Sequence, residues 1–272
     1  MDVREHFIQS GDGSHLAVFT AGPRGAPVLL LANGLGGNII AWRHLVDHFK
    51  TRFRVVSWDY RGLYHSPRPV VGDDAAFAMP KHCEDLQAVL ASEGAEQAVF
   101  LGWSMGVQVN FEYYRRHPEQ FLGLVQINGT YGSPFETAFR SGWMRDVAPY
   151  FLGLMEESTP VMHAAAPISH RLGLAVTLFK SLGFVSPTLD EDVFRDLAGE
   201  YMLLDFDAYA RTFRGLSGHN ARDLLPSVTI PTLVITGEKD LFTPLEVSRH
   251  MATTIEGAEL LVVRGGTHYT PV

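Results

Sequence analysis

The sequence predicts an α/β protein: a mostly parallel central sheet, flanked by helices and carrying a helical insertion. Three observations lead there. Short apolar runs alternate with segments of helical spacing between Pro27 and Ile127, which implies a parallel sheet covered on both faces. The strand rhythm then stops from about 133 to 225 and resumes at Thr232, so the middle block reads as an insertion between two sheet strands. Finally, Gly102-Trp103-Ser104-Met105-Gly106 lies where the apolar run Ala98–Leu101 meets a helical run starting at Val107. A serine framed by glycines at that junction fits a sharp strand-to-helix turn.

The elements follow in order. Glu5–Gln9 and His15–Thr20 read as two strands joined by the turn Ser10-Gly11-Asp12-Gly13. Pro27–Ala32 is continuously apolar, the mark of a strand buried on both faces. Asn33-Gly34-Leu35-Gly36-Gly37 follows as a flexible loop. Ile40–Phe49 has helical spacing, with Trp42, Leu45, Val46 and Phe49 on one face. Arg54–Trp58 is the next strand and ends in the turn Asp59-Tyr60-Arg61-Gly62, read as structural. Pro80 opens a helix through Ala91, a position where the missing amide hydrogen is harmless. The strand Gln97–Leu101 leads through the serine turn to the helix Val107–Arg116, which stops at His117-Pro118. Phe121–Ile127 is another buried strand.

In the middle block, Asp190–Leu204 and Asp205–Leu216 are amphipathic helices. Phe194, Leu197 and Tyr201 share a face of the first, and Tyr209, Phe213 and Leu216 of the second. The block is too apolar and too long for a linker. Thr232–Thr236, a helix around Leu245–Ile255 and the strand Glu259–Val263 complete the pattern. The expected division is a core of 1–132 and 226–272 with a helical cap at 133–225.

Bulk properties narrow the function classes. With 46% hydrophobic residues and a mean hydropathy of +0.03, the chain is an ordinary globular sequence. A net charge of −8, with no Lys or Arg block, argues against nucleic acid as a partner. The amino terminus lacks an apolar signal core, and no stretch is suited to span a bilayer. Cys83 is the single cysteine, so an intrachain disulfide is excluded and the thiol reads as an inert packing group. The expected location is the cytoplasm. His44 and His48 stand four apart on a helix. Without the glutamate of H-E-x-x-H or an evident third ligand they read as structural, so neither a metal nor a cofactor is expected.

The chemistry rests on strand ends. A serine hydroxyl needs a base to take its proton, an acid to orient that base, and donors for the oxyanion. In an open α/β sheet, the loops at the carboxyl ends of the strands converge. Four loops qualify: the turn carrying Ser104; Gly237-Glu238-Lys239-Asp240; Gly265-Gly266-Thr267-His268; and Asn33–Gly37. Asp240 competes with Glu238, which is expected to be solvated or locally paired. Trp103 and Leu35 flank the proposed reacting centre, where Trp103 is a candidate pocket wall.

The order serine, acid, histidine on this sheet pattern resembles the α/β-hydrolase fold family of serine hydrolases. The resemblance implies Ser104 as nucleophile, Asp240 as acid and His268 as base. It implies an oxyanion hole formed by the backbone N–H groups of Leu35 and Met105. Asn33 stands where the family's His-Gly pair has its histidine. The implied activity is cofactor-independent cleavage of a carboxylic ester, thioester or lactone through an acyl-enzyme, on a small-molecule acyl substrate. The same triad serves carbon–carbon bond hydrolysis and cofactor-free perhydrolysis in the family, and some relatives bind ligands without catalysis. Dehalogenating and epoxide-opening relatives carry aspartate at the elbow, so Ser104 disfavours those chemistries. Family members usually follow the histidine loop with a helix packed on the sheet, and this sequence stops at Val272. The expectation is therefore a loosely anchored His268 beside exposed apolar sheet surface. Substrate identity and oligomeric state stay open.

Overall fold

The opening hairpin, β1 (Arg4–Gln9) and β2 (His15–Ala21), is the antiparallel edge of a single sheet. The remaining strands are β3 (Val28–Ala32), β4 (Arg54–Trp58), β5 (Ala98–Trp103), β6 (Phe121–Ile127), β7 (Thr232–Gly237) and β8 (Glu259–Val263). The sheet order is β1-β2-β4-β3-β5-β6-β7-β8. β2 meets β4 antiparallel, and from β4 to β8 every pairing is parallel. Parallel neighbours require crossovers, and the helices supply them. The computed structural model describes residues 1–134, 150, 153, 157, 160, 161, 163, 164 and 174–272. Most of the proposed cap between 135 and 173 therefore lies outside the described residues.

Helices among the described residues include α1 (Arg43–Phe49), α2 (Met79–Ser92), α3 (Met105–Arg116), α4 (Leu174–Ser181), α5 (Glu191–Tyr201), α6 (Phe206–Ser217) and α7 (Leu245–Thr254). The single helix expected over Ile40–Phe49 is instead a 3-10 turn at Ile39–Trp42 followed by α1, started by Asn38, whose side chain accepts from the Ile40 amide at 3.0 Å. α5 and α6 begin at the expected aspartates. Asp190 and Asp205 each accept from two first-turn amides, which satisfies donors the helix leaves free.

Alternation along the strands builds two layers. Leu30, Val56, Phe100, Leu124 and Val234 form one core. Leu29, Leu31, Val55, Leu101 and Trp103 form the other, with Trp42 and Val46. Cys83 is buried in the first layer, and burial pushes its thiol up to about 12. The turn after β4 is held from below by Arg61, which is fully buried. Its guanidinium donates to Asp85 (Nε to Oδ2 2.8 Å, and Nη2 to Oδ1), to Asp12 Oδ2 at 2.8 Å and to the Ala76 carbonyl at 3.1 Å.

Among the described residues, two histidines lie in the interior. His82 is fully buried against Tyr60, and burial lowers its pKa to about 3, so it packs as a neutral ring. His219 is also buried and meets Glu112 at 3.3 Å. His44 contacts Asp190 at 3.0 Å. α7 packs on the Val234 and Leu260 side of the last strands. On the opposite side Leu233, Ile235 and Val263 are only partly buried and Leu261 is 50% exposed.

Candidate active site

Ser104 sits between β5 and α3 with φ 54° and ψ −113°. A β-carbon on Gly102 would lie 2.6 Å from the Gly106 carbonyl, and one on Gly106 would lie 2.1 Å from the Ala32 carbonyl oxygen. The glycines two before and two after the serine are thus demanded by contact. The turn makes α3 begin at Met105, two residues ahead of the sequence expectation. The Ser104 amide donates to the Ile127 carbonyl at 3.0 Å, which ties the turn to the end of β6.

The three distant side chains meet. Ser104 Oγ is 2.9 Å from His268 Nε2, and His268 Nδ1 is 2.9 Å from Asp240 Oδ2. Asp240 is buried, and its second oxygen accepts from the Phe242 and Thr243 amides at 2.8 and 2.9 Å. The Thr243 hydroxyl donates to Oδ2 at 2.7 Å. Every acceptor direction is thereby oriented, and the carboxylate faces the imidazole with a fixed edge. Glu238 accepts from the Gly265 amide at 2.9 Å and so pairs locally, as expected.

His268 is firmly held, contrary to the expectation of a loose loop. Its carbonyl accepts from Trp103 Nε1 at 2.8 Å. The preceding Thr267 carbonyl accepts from Asn128 Nδ2 and from the Thr270 hydroxyl. The Asn128 oxygen accepts from the Gly237 amide at 3.1 Å, so one buried amide ties the acid loop to the histidine loop. Phe242, Trp103 and Tyr269 surround the imidazole with ring centroids 5.0, 6.0 and 6.1 Å away. Trp103 is 3% exposed and wedged between two loops, which makes it a packing group rather than an open pocket wall.

The loop Asn33–Gly37 lies against the elbow: a β-carbon on Gly34 would come within 3.2 Å of Ser104 Cβ. It is not the flexible loop its glycines suggested. Asn33 donates to the Trp58 carbonyl at 2.6 Å and accepts from Trp42 Nε1 at 2.7 Å and from Ser57 Oγ at 3.3 Å. The Tyr60 and Tyr64 hydroxyls donate to the Asn33 and Gly36 carbonyls. Among the described residues, no acceptor is found for the Leu35 or Met105 amide. Asn128, Thr243, Tyr60 and Tyr64 escaped the sequence reading. Asn128-Gly129 directly follows β6, so a fifth strand-end loop was available to find. Tyr64 gave no comparable signal.

The likenesses to known proteins agree with this architecture. A family model described as "alpha/beta hydrolase fold" matches residues 27–157, and one described as "TAP-like protein" matches residues 213–271. Epoxide hydrolase 4 of Mus musculus is 26% identical over 262 residues, covering 92% of this chain and 70% of its own. The putative carbamate hydrolase RutD of Stutzerimonas stutzeri (strain A1501) is 26% identical over 250 residues, covering 91% and 86%. The crystal structure of the enol-lactonase from Burkholderia xenovorans LB400 superposes with a TM-score of 0.76 at 21% identity, covering 98% of this chain and 94% of that one. Among the described residues, no helix is long and apolar enough to cross a membrane. The family models, the sheet order, the strand-to-helix elbow and the superposition on solved structures together show that this chain has the α/β-hydrolase fold.

Proposed function

We propose that the protein is a serine hydrolase that cleaves a carboxylic ester, thioester or lactone through an acyl-enzyme. The observation that carries this reading is the hydrogen-bonded chain from Ser104 Oγ through His268 to Asp240, with both links 2.9 Å. His268 Nε2 takes the serine proton as Oγ attacks the carbonyl carbon. Asp240 keeps the Nδ1–H tautomer aligned and stabilises the imidazolium. The Leu35 and Met105 amides receive the carbonyl oxygen as it becomes an oxyanion, a contribution of roughly 2.7–4 kcal/mol per donor in comparable sites. His268 then gives its proton to the leaving alcohol, thiol or enol. Water, deprotonated by the same imidazole, releases the acid and restores Ser104.

The chemistry of the nucleophile separates this reading from the activity named for the epoxide-hydrolase relative. A serine oxygen opening an epoxide would leave an ether, which offers water no carbonyl to attack. A serine on an ester, lactone or carbamate leaves an acyl or carbamoyl group that water can remove. The named carbamate hydrolase and enol-lactonase both act on carbonyl groups of that kind. Labelling with a fluorophosphonate probe tests the reading. Wild type is expected to label and to hydrolyse p-nitrophenyl esters, and Ser104→Ala to do neither. A folded, unlabelled wild type would overturn it. Running short- to long-chain esters beside lactones then orders the acyl preference.

A further inference from the structure

Among the described residues, three other than glycine adopt left-handed backbone: Ser104 at φ 54°, Asn128 at φ 45° and Tyr64 at φ 51°. Such a conformation costs an ordinary side chain about 1–2 kcal/mol, and strain of this kind gathers at functional sites. Two of the three already belong to the apparatus described above. Ser104 is the elbow residue, and Asn128 joins the acid and histidine loops. Tyr64 is the remaining one, and its phenol reaches the Gly36 carbonyl.

The consequence follows from peptide planarity. In a trans peptide the C=O and the next N–H point in opposite directions and turn together. Tyr64 grips the Gly36 carbonyl, which fixes the plane that also carries the Gly37 N–H. That N–H donates to the Gly34 carbonyl at 2.8 Å. The Gly34 carbonyl in turn fixes the plane that carries the Leu35 N–H. Two rigid planes therefore connect the phenol to the amide assigned to the oxyanion. Tyr60 secures the preceding carbonyl, that of Asn33, at 2.8 Å. The Tyr64 hydroxyl stays protonated, because burial lifts its pKa well above the usual tyrosine value. Gly36 itself, at φ 75°, lies close against the Tyr201 ring. A β-carbon there would meet the Tyr201 ring at 2.5 Å.

The geometry points to Tyr64 as a positioning residue for the oxyanion hole: through the Gly36–Gly37 and Gly34–Leu35 peptides, its phenol sets the direction of the Leu35 N–H. The inference rests on the serine-hydrolase reading. Tyr64 touches no reacting atom, so its effect should appear in turnover and in affinity for tetrahedral adducts, and hardly in ground-state binding. A displaced donor in such a site costs on the order of 10–100-fold in rate.

The test compares wild type with Tyr64→Phe, which keeps the ring and removes only the hydroxyl. Expected for Tyr64→Phe are a kcat lowered about 10–100-fold with KM nearly unchanged. An alkyl boronic acid, whose tetrahedral adduct places an oxygen in the hole, should weaken by a similar factor. Hydrogen exchange at residues 33–38 should quicken, while the melting temperature and exchange elsewhere hold. Normal kcat and boronate affinity in Tyr64→Phe would overturn the inference, whether or not the loop exchanges faster, because the tie would then be structural only. A wild type that neither labels with fluorophosphonate nor turns over esters would instead overturn the hydrolase reading, and this inference with it.

Discussion

Asp240 shows how one residue can be legible in a sequence while its working environment is not. Its strand-end loop after β7 offered Asp240 and Glu238, and the family resemblance chose Asp240, but the Thr243 hydroxyl and the Phe242 and Thr243 amides that orient it are visible only in the fold. Asp59 presents the opposite arrangement. It is buried at the end of β4, Oδ2 accepts from the His65 amide at 3.1 Å, and Oδ1 finds no partner among the described residues. Burial pushes its pKa up to about 7. In the unfolded chain the group titrates at about 3.9. Between those values the folded protein holds a proton that the unfolded chain has lost, so stability falls as pH rises through the window. Asp59→Asn removes the titration. Thermal melts from pH 4 to 8 should show wild type losing stability relative to the variant up to about pH 7, with the two running parallel above it. A constant difference across that range would mean the carboxyl ionises normally.

At the scale of elements, the crossing of β5 and α3 against β3 is the tightest approach around the site. Gly106→Ala would drive a methyl group into the Ala32 carbonyl. The expected cost is about 2–4 kcal/mol in urea unfolding, with loss of fluorophosphonate labelling from the displaced elbow. This approach was readable in advance because the chemistry of a sharp turn requires bare positions on both sides of the serine. The strands were readable for a related reason: Phe121–Ile127 and Glu259–Val263 stand at their expected bounds, since a sheet strand is a short apolar run with clear ends. The Asn33–Gly37 loop was misread because glycine content reports what a backbone is allowed to do. The partners that fix it, Trp42, Tyr60 and Tyr64, come from other elements, and Tyr64 lies 28 residues from the carbonyl it holds.

Across the whole molecule, burial falls from the middle of the sheet toward β8. Leu30, in the central strand, is fully buried, whereas Leu261 is half exposed. Leu30→Ala should cost about 2–5 kcal/mol and Leu261→Ala less than about 1 kcal/mol, read from urea midpoints at equal slope. Similar costs at the two sites would mean that the outer strands are covered in solution. The contact between Tyr201 and Gly36 bears on the molecule in another way. Tyr201 closes α5, outside the sheet, yet its ring rests on the loop assigned to transition-state stabilisation. Anyone redesigning those outer helices to admit a bulkier acyl group would also be retuning the catalyst, so libraries built there should be screened for turnover and selectivity together.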